Sequence, residues 1–362
     1  MKKYLLFLFL SFIACKNSIE ENCFQNEDDK IFEPYIEEPP FSVNQILDEK
    51  PEYLEIKNLQ KFRSFKKDSI DGHTYTYDEI KSKKEFESYQ AKYKDFNDKF
   101  FNQFGYINRQ KVNEVDYALG RNNLGFWLLK ISNNQPKAYF LGLSFSHYYI
   151  NELQELPIIK DGFLQFEGSL VKIVKVAGLP GYDDYSALED GKLFKIKLAD
   201  LEKDTDNDGY NDIFENSIGL DSYNADSDGD KINDFDDMNP LFKTEKSKFT
   251  SLYEELLPKH FAFDENNLKR MHYFFIPYES NCEYFQKINT KFRILILPNN
   301  SKKTNYLKVT NIVQDGFSKI RRDKKDGYKF YISTFGSSST TDFSAEYKKG
   351  KWIFVMVSQT NV

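Results

Sequence analysis

Between Asp204 and Pro240 the chain reads DTDNDGYNDIFENSIGLDSYNADSDGDKINDFDDMNP, a stretch whose acidity rules out an ordinary hydrophobic unit. With Asp204 as place one, carboxylates stand at places one, three, five, nine and twelve: Asp204, Asp206, Asp208, Asp212 and Glu215. Gly209 holds the sixth place, where a chain wrapping an ion turns sharply, and Tyr210 at the seventh is placed to offer its backbone carbonyl. A second series starts 22 residues later, with Asp226, Asp228, Asp230, Asp234 and Asp237 at the same places, Ile232 at the carbonyl place and Lys231 where the turn glycine would be. Oxygen donors at this spacing suit a hard cation such as Ca²⁺, which takes six to eight oxygens and is commonly completed by a bidentate carboxylate at the twelfth place. Eleven Asp, one Glu and one Lys give Asp204 to Asp237 a net charge of −11, so the rest of a chain that is −6 overall carries +5. Without counter-ions that density of like charge would hold the segment open. It is expected to bind about two Ca²⁺ ions.

An EF-hand pair needs helices of about three turns on both sides of each loop. Here a short strand-like run precedes Asp204, and Ile213 to Ile218 allows barely two turns before Gly219. The segment instead resembles thrombospondin type 3 repeats in their bacterial form. The resemblance rests on DTDNDGYNDIFE, Gly219-Leu220-Asp221, Asn224, the Asp226–Asp230 run and the closing Asn239-Pro240. It departs at Ser222, where that family usually has proline, and at Lys231. The resemblance implies that ions replace a hydrophobic core and that a carboxylate such as Asp221 is shared between neighbouring ions. Extracellular modules bind Ca²⁺ with dissociation constants of about 10⁻⁴ to 10⁻³ M. At about millimolar Ca²⁺ each site then contributes roughly 0.4 to 1.4 kcal/mol, a magnitude that suits a constitutive stiffener better than a switch.

The chain opens MKKYLLFLFLSFIAC: two lysines, an apolar run from Tyr4 to Ile13, then Ala14 and Cys15. That run is too short to span a bilayer and has the three-part layout of a secretory signal. Residues 1–14 resemble a bacterial lipoprotein signal peptide, with Phe12-Ile13-Ala14-Cys15 as the lipobox. The resemblance implies cleavage before Cys15, acylation of that cysteine and a membrane partner reached through its lipid. Residues 15–40 are acidic, end in Glu37-Glu38-Pro39-Pro40 and are expected to be a disordered tether. Acidic residues soon after the lipidated cysteine also resemble surface-export signals of Bacteroidetes lipoproteins, so an outer membrane location, periplasmic or surface-exposed, is implied. Cys23 in this tether has two open fates in an oxidising compartment, a bond to Cys282 or none. Cys-x-x-Cys and Cys/His pairs at zinc spacing are absent from the sequence.

The flanks are rich in aromatics, 34 Phe and 24 Tyr, which favour pleated, half-buried surfaces. In residues 41–200 a helix is expected from Lys84 to Gly105, with Phe86, Tyr89, Tyr93, Phe96 and Phe100 as its core stripe and Gly105 as its cap. Leu124–Ser132 and Lys137–Phe145 read as a hairpin about a four-residue turn, Asn133 to Pro136. Strands follow over Gly162–Val176 and Leu193–Leu198, and Gly178 to Gly191 reads as a polar loop. In residues 243–362 a helix bearing Phe249, Leu252, Tyr253, Leu256 and Leu257 precedes six strands, the last two joined at Lys349-Gly350. The expected fold class is α+β and strand-rich: two small domains with antiparallel sheets, joined by a loop-built Ca²⁺-binding segment at 201–242.

No catalytic constellation is legible. His73, His147, His260 and His272 lack a nucleophile or carboxylate at any recognised spacing, and Gly336 to Thr341 carries neither a nucleophile elbow nor a P-loop lysine. Acidity confined to one segment gives no indication of nucleic-acid binding. The expectation is a binding, adhesion or structural module with a protein or glycan partner, the ion-bearing segment serving as a rigid interdomain spacer. Two alternatives remain open from sequence: an envelope hydrolase assembled around His147 or His272, and a protective partner that neutralises a toxin or protease.

Overall fold

The computed structural model describes residues 17–26, 40–72, 79–175, 183–257, 269–298, 316–336 and 339–361. The fold is α+β and strand-rich, with antiparallel sheets. Residues 1–16, most of the expected tether, His73, His260 and the strand expected at 306–312 lie outside the described residues.

After α1 (Asn17–Cys23), the first body begins with α2 (Val43–Asp48), whose Ser42 and Gln45 form a reciprocal capping box, then β1 (Leu54–Asn58) and α3 (Phe65–Gly72). The long helix expected from Lys84 is two helices, α4 (Glu79–Lys92) and α5 (Lys94–Phe100), separated at Tyr93. Only the far end of the aromatic stripe is core: Tyr93, Phe96 and Phe100 are buried, whereas Phe86 is 62% exposed. Phe101 in the left-handed region ends α5, and Gly105 instead opens the first strand of a meander. That meander is β2 (Gly105–Val112), β3 (Val115–Asn122), β4 (Gly125–Ser132) and β5 (Gln135–Phe140), in spatial order. The β4–β5 turn is shorter than expected. Asn133 and Asn134, at φ 50° and 63°, make it alone, because asparagine tolerates the two left-handed residues such a hairpin demands. Pro136 then lies in β5, an edge strand, where its missing N–H is tolerated.

A second sheet has the order β1-β9-β8-β6, built from β6 (Tyr148–Ile150), β8 (Phe163–Lys175) and β9 (Asp183–Lys197), with β7 (Ile159–Lys160) on β8. Gly168 lets β6 approach, since a Cβ there would lie 2.0 Å from the Tyr149 carbonyl oxygen. The described part of the expected polar loop is strand, Asp183 onward being β9. The chain then passes through α6 (Leu198–Leu201) into the acidic segment, which contains α7 (Asp212–Ile218), capped by Gly219 at φ 92°.

Beyond it, α8 (Lys248–Leu256) is the expected amphipathic helix, capped by Ser247 and Thr250. Next come β10 (Ile276–Glu279), α9 (Glu283–Gln286) and β11 (Ile294–Leu297). The last sheet has the order β12-β14-β15-β16, from β12 (Gly316–Phe317), β14 (Lys329–Phe335), β15 (Ser339–Lys348) and β16 (Lys351–Asn361), with β13 (Arg321–Arg322) on β14. Its terminal hairpin turns at Lys349-Gly350 as expected.

Two hydrophobic clusters result, and they do not follow the expected sequence boundaries. The first surrounds Trp127 and takes in Phe214 and Ile218 of α7 together with Tyr273, Phe275, Leu295 and Leu297. The second surrounds Leu252, Tyr253 and Trp352 and includes Ile276, Tyr278, Ile294 and Ile296. Strands β10 and β11 pair in parallel, unlike the antiparallel sheet expected there. In β11 alternate residues serve opposite clusters, Leu295 and Leu297 the first and Ile294 and Ile296 the second, while β10 gives Ile276 and Tyr278 to the second and Phe275, just before it, packs in the first. The pair is a wall between the clusters, and β11 is buried on both faces, which is why ILIL reads as a continuous apolar run. Asn122 and Asn123 fasten the wall to the meander through the carbonyls of Tyr273 and Phe275. The described piece of the expected tether is also structured. Cys23 is disulfide-bonded to Cys282, Phe24 is buried in the second cluster, and Glu20 pairs with Arg322.

Candidate metal centre

Each acidic loop closes on its own ninth-place carboxylate. Asp212 accepts from the Thr205 N–H at 2.8 Å, the Thr205 hydroxyl at 2.8 Å and the Lys203 ammonium at 2.7 Å. Burial alone would raise its pKa, but the hydrogen bonds from Lys203 and Thr205 prevail and hold it below the ordinary aspartate range. Asp234 repeats the arrangement, accepting from the Ser227 N–H at 2.9 Å and the Ser227 hydroxyl at 2.6 Å. Asparagines tie the loops to the body. Asn211 donates to the carbonyls of Phe140 and Leu201 and accepts from the Phe140 N–H, while Asn239 donates to the carbonyls of Gln286 and Ile288. The loops also pack on each other: Phe235 lies against Gly209, which at φ 122° has no room for a Cβ, the ring being 3.0 Å from where it would stand.

With the backbone held in this way, the remaining carboxylates converge. Asp204, Asp206 and Asp208 form one group, Asp226, Asp228 and Asp230 a second, and Asp208, Glu215 and Asp234 a third that joins the loops. Within each group one oxygen per residue lies within 4.8 Å of the others, the spread expected of ligands about 2.3–2.6 Å from one ion. Short turns occupy some oxygens, as where Asp206, Asp208, Asp228 and Asp230 each accept the N–H two residues on. Other oxygens are buried and have no hydrogen-bond partner: Asp204 Oδ1, Asp206 Oδ2, Asp208 Oδ2, Asp228 Oδ2, Asp237 Oδ2 and both oxygens of Glu215. Glu215 is the extreme case, at 0% exposure.

A carboxylate sealed from water without a donor costs several kcal/mol unless a cation or a proton meets its charge. The electrostatics of the loops reflect this. Burial first, and then the charges of Asp206, Asp208, Asp212 and Asp204, push the Glu215 carboxyl up to about 9. Burial likewise takes Asp208 up to about 7, and Asp228 and Asp237 each up to about 6, with neighbouring aspartates adding to the rise. The donor set is all oxygen, three groups of its carboxylates converge and several of its oxygens lack a hydrogen-bond partner, a chemistry that fits a hard divalent cation.

The remaining residues of the expected ligand set have varied positions. The Tyr210 ring is buried among Phe214, Phe235 and Tyr273, with its hydroxyl donating to the His272 carbonyl, so this residue also belongs to the first cluster. Ile232 is exposed, and Lys231 adopts φ 82°, a glycine-like conformation at the turn place. Asp221, expected as a shared ligand, is exposed and belongs to none of the three groups; it accepts from the Tyr223 N–H. Asp234 is the cross-loop residue instead. The sequence patterns considered above did not single out Thr205, Ser227 and Asn211, although a hydroxyl residue at place two and Asn-Asp at places eight and nine recur in both loops and were the available signal. Asn239 entered there only through the closing Asn239-Pro240 of the resemblance, without this anchoring role.

Neither described histidine gathers catalytic partners. His147 stacks on Phe41, and burial lowers its pKa. His272 stacks on Phe235, and its Nδ1 lies 2.9 Å from both the Phe235 carbonyl oxygen and an Arg293 guanidinium nitrogen, so it is held by structural contacts. Comparison of the chain with protein-family models, curated proteins and solved structures finds no match.

The Glu215→Gln variant separates ligand from core residue. In chelator it should be at least as stable as the parent, because glutamine can be buried without a cation and without taking up the proton that a carboxyl pushed up to about 9 requires. In millimolar Ca²⁺ its melting temperature should rise less than the parent's; an equal Ca²⁺-induced rise would exclude Glu215 as a ligand.

Proposed function

We propose that residues 204–240 hold about two Ca²⁺ ions as thrombospondin type 3-like repeats, and that the chain is a calcium-stabilised envelope lipoprotein acting as a binding, adhesion or structural module. The observation that supports this best is Glu215, wholly buried with both oxygens unpartnered and grouped with Asp208 and Asp234 of the two loops. Asp204, Asp206, Asp208 and Glu215 would hold one ion, and Asp226, Asp228, Asp230 and Asp237 the other, with Asp234 between them. When bound, the ions supply the positive charge that lets these carboxylates share a buried space.

The ions would do more than stiffen a free spacer. Phe214, at the eleventh place of the first loop, sits 5.5 Å from Trp127 and 5.7 Å from Phe275, between ring centroids. The Met238 carbonyl accepts from the N–H of Ile294 in the wall, so the second loop is bound to the strand pair shared by both clusters. Loops closed by ions therefore hold the segment onto the wall, and the relative geometry of the clusters follows. The membrane attachment rests on the resemblance of residues 1–15 to a lipoprotein signal, and the partner is a protein or glycan presented outside the cell.

Two ions at the affinities of extracellular modules add about 1 to 3 kcal/mol, so chelation should lower the melting temperature by roughly 2–10 °C, and Ca²⁺ should restore it. Superimposable melts with and without chelator would contradict the ion-based reading. Separately, Cys15→Ser should move the protein from the membrane to the soluble fraction; retention in the membrane fraction would contradict the lipid anchor.

A further inference from the structure

The last strand has no neighbour on one side. In the order β12-β14-β15-β16, β16 is the edge, and among the described residues nothing pairs with its outer backbone groups. Edge strands are usually protected by charge, proline or brevity. This one is eleven residues long, lacks proline and has a single charged residue, Lys351. Its protection begins only at the bulge, where Val357 is the extra residue between the Phe343–Met356 and Asp342–Ser358 pairs. From Lys351 to Met356 the edge is regular.

The side chains along that edge are apolar and open to water: Ile353 at 50%, Val355 at 58%, Met356 at 56% and Val357 at 59% exposure. Ile353 and Val355 alternate with Trp352 and Phe354, which pack toward the second cluster, so the two β-branched residues share the outer face. Their neighbours across the strand pair, Glu346 and Ser344, leave them uncovered.

We propose that this edge pairs antiparallel with the same edge of a second copy, about a two-fold axis at Phe354. In that register Ile353 lies opposite Val355 of the second copy and Val355 opposite its Ile353. The four β-branched residues then form one strip on the outer face, the arrangement favoured for cross-strand pairs. Trp352 falls opposite Met356. Lys351 falls opposite Val357, one strand away from Asp342 of the second copy, so the only charge on the edge meets an acidic neighbour and no like charge. An isologous contact of this kind closes at two copies, and the bulges at Val357 end the pairing on either side. Seven paired residues make a small interface, well below the roughly 800 Å² per partner of a standard complex, so the dimer should be weak and half-formed at about 10–100 µM. The pairing is independent of the ion loops.

The test is sedimentation equilibrium of the full chain, in Ca²⁺ and without its acyl group, from about 5 to 500 µM. The parent should pass from monomer to dimer. Val355→Lys sets a charge against Ile353 of the second copy and should weaken association at least tenfold, with the fluorescence of nearby Trp352 unchanged. Ile80→Lys, at an exposed site on α4 in the first body, should associate like the parent. A parent that stays monomeric throughout, or a V355K variant that dimerises equally well, overturns the proposal.

Discussion

A carboxylate can be buried only where something meets its charge, and in this chain the requirement is concentrated at Glu215. Its neighbours cannot meet it, because the nearest groups, Asp208 and Asp234, are themselves acids. The loops that create the problem are held by their own contacts: threonine and serine hydroxyls and the Lys203 ammonium on the ninth-place aspartates, and asparagines on the carbonyls of the flanking body. These contacts set the backbone, and the carboxylates that they leave free gather in groups, several of their oxygens buried and without a hydrogen-bond partner. Other features of the centre follow from this. Asp212, turned away toward Lys203 and Thr205, is held low, whereas Asp208 and Glu215, turned inward, are pushed up.

The same segment is also part of the hydrophobic architecture. Phe214, Tyr210 and Phe235 alternate along the sequence with the ion-facing residues and place three rings in or against the first cluster. The β10–β11 pair lies between the clusters, β11 giving one face to each, and the acidic segment hydrogen-bonds to it through Met238. The disulfide between Cys23 and Cys282 brings the beginning of the described chain onto the far side of that wall. Acidic loops, wall and disulfide are therefore neighbours, and the two clusters are joined by packing as well as by sequence.

Much of this was legible from residue types. The convergence of spaced carboxylates, the Lys349-Gly350 turn, the α8 stripe and the α+β class all rest on local patterns that the fold keeps. The misreadings were places where local pattern met a tertiary constraint. Phe86 continues the helical period of Tyr93 and Phe96 but extends past the edge of the core, so the stripe is longer than the surface that buries it. Asn133-Asn134 makes a complete turn because both residues accept left-handed backbone, and Pro136 is tolerated only because β5 is an edge. Parallel pairing of β10 with β11, and the choice of Asp234 over Asp221 as the residue between the loops, depend on contacts between distant parts of the chain. No spacing rule contains them. The placement of Cys23 in the second cluster is of the same kind, since an acidic composition conceals an apolar pair, Cys23-Phe24, that docks.

The central claim is that the inward-facing carboxylates of residues 204–240 form a cation-binding nest. Equilibrium dialysis of the full chain against radiolabelled Ca²⁺, from about 10 µM to 10 mM, tests it most directly. The account predicts saturable binding of about two ions per chain with dissociation constants of roughly 10⁻⁴ to 10⁻³ M. Binding no greater than to a protein of equal net charge lacking the two loops would contradict it.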